Sequence, residues 1–273
     1  MAVRPKSPRT LCVEYMNKRM ITERNFTTAD TKSPVQVVDF YDQYAESWDQ
    51  RFKKSSATTR FFDSRWESFL DVLGPWQPHG QALELGVGTG VYIERASKLF
   101  DHIVAVDASA QMLNKLKEKI DGEIKNVEVK KCFAENLEDI PCDFFDVVYF
   151  FGVIEHIIKT DLFVGEIHRV LKPGGRVIGI MPNRWSPWYY LLRKYARGTG
   201  AHCSSDRYYS SREIKIIFTS RGFDDARIRY WGSVPAGIDG KLVTKFLEAV
   251  ETFSRYTYMD RFLGGITFGF SKV

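Results

Sequence analysis

The feature that most restricts this chain is Leu83-Glu84-Leu85-Gly86-Val87-Gly88-Thr89-Gly90, an apolar run that ends in three alternate glycines. Glycine at such places implies a tight turn in which bare backbone approaches something that a Cβ would block. About twenty residues later a second apolar run closes in Ala105-Val106-Asp107, which sets a carboxylate where it can accept the hydroxyl protons of a ribose. Strand, glycine turn, helix, second strand and terminal acid, in that order, describe a doubly wound α/β sheet with an adenosine-type ligand in its crevice.

The rest of the chain keeps the same rhythm. Short apolar runs predict strands ending at Leu85, at His102 to Val106, near Val127 to Lys131, at Phe145 to Phe150 and at Arg176 to Met181. Helical spacing fills the gaps from Gly90, over Ser109 to Ile120 and over Leu162 to Leu171. Such alternation builds a mostly parallel sheet covered on both faces. Upstream, Val37, Phe40, Tyr41, Tyr44, Ala45 and Trp48 mark one face of a helix. Phe62, Trp66, Phe69, Leu70 and Leu73 mark one face of a second, which Gly74-Pro75 ends. Downstream, Ser210 and Glu213 form a capping box for a helix that stops at Gly222. Strand candidates Ala226 to Trp231 and Ile266 to Phe270 flank a helix carrying Leu242, Phe246, Val250 and Phe253. The expected organisation is a flexible tail over 1–34, a helical lid over 35–80, and an α/β domain over 81–273 with an insertion at 182–210.

Dinucleotide-binding turns carry GxGxxG, which would put a glycine at Val91, against the pyrophosphate. This turn reads GxGxG, and the Glu84 carboxylate ahead of it would repel a phosphate but suits an ammonium group. S-adenosylmethionine has the ammonium and no phosphate. Ala134-Glu135-Asn136-Leu137, Phe145-Asp146-Val147-Val148, Val153-Ile154-Glu155-His156 and Glu166-Ile167-His168-Arg169-Val170-Leu171-Lys172-Pro173-Gly174-Gly175 complete a pattern. On these residues the chain resembles the class I S-adenosylmethionine-dependent methyltransferase family from about Val37 to Lys272, in the small-molecule branch that includes ubiquinone-biosynthesis enzymes.

The resemblance implies a Rossmann-like seven-stranded sheet whose last strands make an antiparallel hairpin at the edge. It implies methyl transfer to an oxygen or nitrogen of a small molecule, a quinone precursor or lipid among the candidates, with S-adenosylhomocysteine as product. Glu84, Gly86, Gly88 and Gly90 would line the methionine moiety, Asp107 would bind the ribose, and Ala108 and Met112 would flank the adenine. Phe150, Phe151 and Gly152 would face the sulfonium. Where family members usually hold the adenine amino group with an acid, this chain has Phe133, so adenine would stack there or bond through backbone near Ala134 and Glu135.

Two further expectations concern the acceptor side. His156 follows the fourth strand, where an imidazole could take a proton from a hydroxyl nucleophile, or merely orient its loop. Tyr41, Tyr44 and Trp48, on one helical face, either close over the cofactor as part of a lid or pack against the second helix. The stretch 183–197 mixes aromatics with cations, as a pocket cover or a peripheral membrane contact would.

Composition narrows the partners. A net charge of +5 spread along 273 residues gives no basic groove, and Phe150-Phe151-Gly152-Val153 is not the Asn/Asp-Pro-Pro-Tyr loop of nucleic-acid methyltransferases. Nucleic acid is therefore not expected, and the histidines have no metal-ligand spacing. Cys12, Cys132, Cys142 and Cys203 are far apart, which argues against a disulfide framework and for a cytoplasmic location, peripheral to a membrane if 183–197 touches one. Oligomeric state has no signal in the sequence. A cofactor-binding protein without catalysis and an NAD(P)-dependent oxidoreductase remain the rival readings.

Overall fold

The computed structural model describes residues 33–49, 56–74, 80–187, 206–232 and 241–273. Seven strands form one sheet: β1 (Gln81–Leu85), β2 (His102–Asp107), β3 (Val127–Lys131), β4 (Phe145–Phe151), β5 (Leu171–Met181), β6 (Phe223–Trp231) and β7 (Gly265–Lys272). Their order is β3-β2-β1-β4-β5-β7-β6. β1 to β5 run parallel, and β7 lies antiparallel to both β5 and β6, which makes the expected C-terminal hairpin. The order reverses between β1 and β4, so the loops leaving those strands part and open a crevice at their carboxyl ends.

Period-two alternation fills both faces. Leu83, Leu85, Val104, Val106, Val148 and Phe150 enter one core, and Ala82, Ile103, Ala105, Val147 and Tyr149 the other. Each fully buried large side chain of this kind contributes about 1.5–3 kcal/mol of transfer free energy. The covering helices are α1 (Pro34–Asp42), α2 (Ala45–Trp48), α3 (Ser56–Leu73), α4 (Ile93–Ala96), α5 (Ala110–Ile120), α6 (Thr160–Val170), α7 (Ser211–Thr219), α8 (Lys241–Tyr256) and α9 (Asp260–Leu263). The Ser210/Glu213 box caps α7 as its spacing predicts, each side chain bonding the other residue's backbone N–H.

Several elements differ from their sequence reading. The first helix is two segments, because the chain turns at Gln43-Tyr44, with Tyr44 N bonding Tyr41 O. On α3 the buried stripe is Trp66, Phe69, Val72 and Leu73, whereas Leu70 is exposed. Gly269 explains the shift: a Cβ there would meet Val72 at 2.6 Å, so the bare glycine admits valine to the sheet. The helix after the glycine turn is a single turn, α4, because the chain keeps turning through Tyr92. β5 begins at Leu171 and takes in the Lys-Pro-Gly-Gly turn as a register shift between Phe145 and Val147 of β4.

Part of the motif behind the resemblance is architectural. Glu166 and Arg169, both buried on α6, pair at 2.8 Å. Glu166 also accepts Leu137 N, while Arg169 donates to the carbonyls of Leu137 and Ile140. Together they pin the loop that follows β3. Among the described cysteines, Cys132 is a free thiol.

Candidate active site

All three glycines of the turn have left-handed backbone, with φ of +61°, +56° and +72° at Gly86, Gly88 and Gly90. Their surroundings differ. A Cβ on Gly86 would strike Val153 at 2.5 Å and one on Gly90 would strike Leu116 at 2.5 Å, but one on Gly88 would meet nothing within 4 Å. The outer glycines are therefore demanded by the chain's own packing, and the middle one presents backbone to open space at the carboxyl end of β1.

Asp107 sews this turn to the end of β2. Gly88 N donates to Oδ2 and Ser109 N to Oδ1, both at 2.8 Å. A carboxylate oxygen has about two lone-pair sites, so each retains acceptor capacity for a further donor. Burial raises the Asp107 pKa above the ordinary aspartate value, against the lowering effect of the N–H groups of Ser109, Gly88 and Ala108. Glu84, 3% exposed, faces the α3 side of the sheet and accepts the Tyr149 hydroxyl at 3.0 Å. Desolvation pushes its carboxyl up to about 8.

Met112 is buried in the first turn of α5, its N–H donated to Ser109 Oγ at 3.0 Å, and Ala108 is half-buried beside it. Phe133 lies exposed in the turn after β3, and Ala134 packs against the core. Burial raises the Glu135 pKa, against the lowering effect of nearby backbone N–H groups, those of Ile158 and Lys159 in the loop after β4 among them.

Beyond β4 the expected trio separates. The Phe150 ring is fully buried between Phe163 and Phe268, on the face away from α3, because alternation along β4 turns it there. It can offer the crevice only backbone. Phe151 points the other way and stacks on Tyr92 with centroids 4.1 Å apart, while Gly152 turns with φ +72°.

His156 closes a short 3-10 turn over Ile154–His156. Its Nδ1 lies 2.8 Å from Asp206 Oδ1, and its Nε2 lies 2.8 Å from the Tyr41 hydroxyl. A carboxylate can only accept, so Nδ1 carries the hydrogen, and in the neutral imidazole Nε2 then presents a lone pair. Asp206 is buried, and the bond from Arg207 N to Glu155 O at 2.8 Å holds its segment over the turn. Sequence reading missed Asp206 and the role of Tyr41. The acid is 50 residues from its histidine, so no local spacing announces the pair.

The N-terminal helices span the crevice. Ser109 Oγ bonds Asp42, Thr89 Oγ1 bonds Asp49, and Lys119 pairs with Asp49 at 3.1 Å. The Trp48 ring lies 5.6 Å from Tyr41 and the Tyr44 ring 5.2 Å from Phe40, all of them partly buried. Of 183–197, residues 188–197 lie outside the described residues, and in the part described Trp185 is exposed and Arg184 pairs with Glu213. The described residues include no group of three or more acidic, histidine or cysteine side chains placed to hold a metal ion. None of their helices is long and apolar enough to cross a membrane.

Residues 83–179 match the family described as "Methyltransferase domain". Over 118 residues the chain is 30% identical to a ubiquinone/menaquinone biosynthesis C-methyltransferase of Vibrio campbellii, covering 41% of this chain and 45% of that one. It is 24% identical over 202 residues to a ubiquinone biosynthesis O-methyltransferase of Bradyrhizobium sp., covering 66% and 77%. The chain thus spans less than half the length of the C-methyltransferases it matches. In shape it is similar to an S-adenosylmethionine-dependent methyltransferase of Thermotoga maritima, with TM-score 0.64, 17% identity, and 87% and 100% coverage. It is also similar to phosphoethanolamine N-methyltransferase 2 of Haemonchus contortus, with TM-score 0.58, 18% identity, and 86% and 59% coverage. At such identities the likeness of shape establishes the fold. With the family match, the reversed strand order and the glycine turn in agreement, residues 83–179 are a methyltransferase domain on the fold that S-adenosylmethionine-dependent methyltransferases of known structure share.

Proposed function

We propose that this chain binds S-adenosylmethionine over the β1 and β2 ends and transfers its methyl group to an oxygen or nitrogen of a small molecule. The observation that carries the reading is Gly88: a left-handed glycine facing open space, braced by Asp107, within a matched methyltransferase domain. The residues fit the cofactor. Asp107 has acceptor capacity for ribose hydroxyls, Glu84 carries the carboxyl for an ammonium, and Ala108 and Met112 form an apolar wall.

When bound, the sulfonium supplies an electrophilic methyl group, so few catalytic side chains are needed beyond those that position the nucleophile. His156 acts as general base through Nε2, oriented by Asp206 at Nδ1, and takes the proton that the nucleophile gives up. Tyr41 caps Nε2 until an acceptor hydroxyl replaces it or passes its proton through the phenol. α1 and α2, with Tyr44 and Trp48, serve as a lid that excludes water from the reacting groups. It is tied down by hydrogen bonds and ion pairs, and α1 has no fully buried residue, so it can open at low cost. The relatives named for ubiquinone biosynthesis support a quinone precursor among the acceptors.

Calorimetric titration with S-adenosylmethionine, S-adenosylhomocysteine and NADH tests the cofactor. The first two should bind and the third should not. Asp107→Ala should weaken binding by about tenfold or more, since charge-assisted hydrogen bonds contribute about 1.5–3 kcal/mol each. Isotopically labelled methyl donor, incubated with metabolite extracts, should then label an acceptor; a protein that binds donor yet labels nothing would be the cofactor-binding module instead.

A further inference from the structure

Arg65 of α3 belongs to neither the cofactor turn nor the His156 relay. Its guanidinium carbon lies 5.4 Å from the Trp231 ring and 5.8–5.9 Å from the rings of Phe61, Phe62 and Phe151. Aromatic faces stabilise its charge, but they leave the in-plane N–H edge without the acceptors that a guanidinium fork is shaped to meet. Nε is buried and makes no hydrogen bond among the described residues. A buried donor on a charged group that lacks an acceptor is costly, so its persistence needs a reason.

The fork reaches toward Gly152. A Cβ at Gly152 would lie 3.2 Å from Nη2 of Arg65 and 3.3 Å from Oε1 of Glu155. The glycine, turning at φ +72°, thus leaves between a guanidinium and a carboxyl at the end of β4 a space tight for a methyl carbon but of the right width for one hydrogen-bonding oxygen, close to His156. Glu155 is buried, and its Oε2 also makes no hydrogen bond. Burial raises the Glu155 pKa, against the lowering effect of His156 and Arg65, which weakens its repulsion of an anion beside it.

We propose that this gap is the acceptor's recognition subsite and that the acceptor carries an oxyanion, a carboxylate or a phosphate, which the guanidinium edge of Arg65 grips. The inference rests on the methyltransferase reading and deepens it: acids on an apolar body would be methylated, and their neutral analogues would be poor substrates. A guanidinium matches either oxyanion bidentately, and the rings around it suit an aromatic or otherwise apolar body. The competing role for Arg65 is a counter-charge to Glu155 with no ligand of its own.

The test titrates benzoate, phenyl phosphate and benzamide into the full chain saturated with S-adenosylhomocysteine, for the wild type, Arg65→Gln and Arg65→Lys. In the wild type one of the anions should bind about tenfold tighter than benzamide, and which one identifies the oxyanion. Arg65→Gln should abolish the preference, and Arg65→Lys should reduce it, since the charge stays but the fork is lost. S-adenosylhomocysteine affinity should be the same in all three proteins. Equal binding of all three probes, no binding of any, or a preference that survives in Arg65→Gln overturns the proposal. If Arg65→Gln does not fold, an undiminished preference in Arg65→Lys overturns it. A wild type that fails to bind S-adenosylhomocysteine before any probe is added sinks the methyltransferase reading instead, so the two failures are distinct.

Discussion

The rim over β1 and β2 is built from main chain, whereas the rim beyond β4 is built from side chains drawn from distant stretches. On the first rim, Gly86 to Gly90 and the N–H groups that hold Asp107 lie within one βαβ unit, so short-range geometry sets most of it. On the second, Tyr41, Arg65, His156 and Asp206 come from α1, α3, the turn after β4 and the segment before α7. The difference teaches where each property resides. Recognition of an invariant nucleoside can be made from backbone, which tolerates little variation. Recognition of an acceptor needs groups that can be exchanged without rebuilding the sheet.

The largest expected effect would break the second rim. His156→Ala should lower kcat by about 10²–10⁴ and leave S-adenosylmethionine affinity unchanged. Asp206→Asn, which keeps the shape, should lower kcat less and shift the pH–rate profile, as a positioning residue acting through the imidazole would. Turnover by His156→Ala that holds from about pH 6 to 8 would remove the base role.

Substitutions in the glycine turn sharpen the first rim. Gly86→Ala must displace Val153 as well as adopt φ +61°, so thermal unfolding should register a loss of about 1–3 kcal/mol. Gly88→Ala meets no neighbour and should lose only about 1–2 kcal/mol for its left-handed backbone, yet it should weaken cofactor binding more than it lowers stability. Binding that is indifferent to Gly88→Ala would mean that the open space there is not used.

The last effect is a slope with pH. The Glu84 carboxyl, ordinarily near 4.5, is raised to about 8 in the fold, so the folded state holds a proton that the unfolded chain releases. That contribution is complete below pH 4.5 and declines as pH rises toward about 8, so stability falls across that window. Glu84→Gln should flatten the decline, which denaturant titrations at several pH values would detect. If an ammonium is drawn to Glu84, binding at neutral pH should also release a proton, measurable as a buffer-dependent heat.

Most of the architecture and the first rim were legible in the residues, because both depend on short-range patterns. Alternation along β1, β2 and β4 showed two buried faces, and Ser210 with Glu213 showed a helix start. The places where reading fell short are places where distant chain intervenes. Leu70 carried the right spacing, but Gly269 rotated the packing toward Val72. Phe150 and Phe151 looked equivalent as neighbours, and the pleat sent the first ring into the far core.

From the residues alone came the alternation of strands and helices, the turn with its three glycines, and the acid at the end of β2, since hard-sphere limits on φ and the two-residue pleat act over a few positions. Tertiary structure alone decided that Gly88, of the three turn glycines, faces open space and that Asp206 and Tyr41 bracket His156. It alone placed Arg65 beside Gly152. Those relations are contacts between segments remote along the chain, set by how helices settle on the sheet, and no local pattern encodes a distance between them.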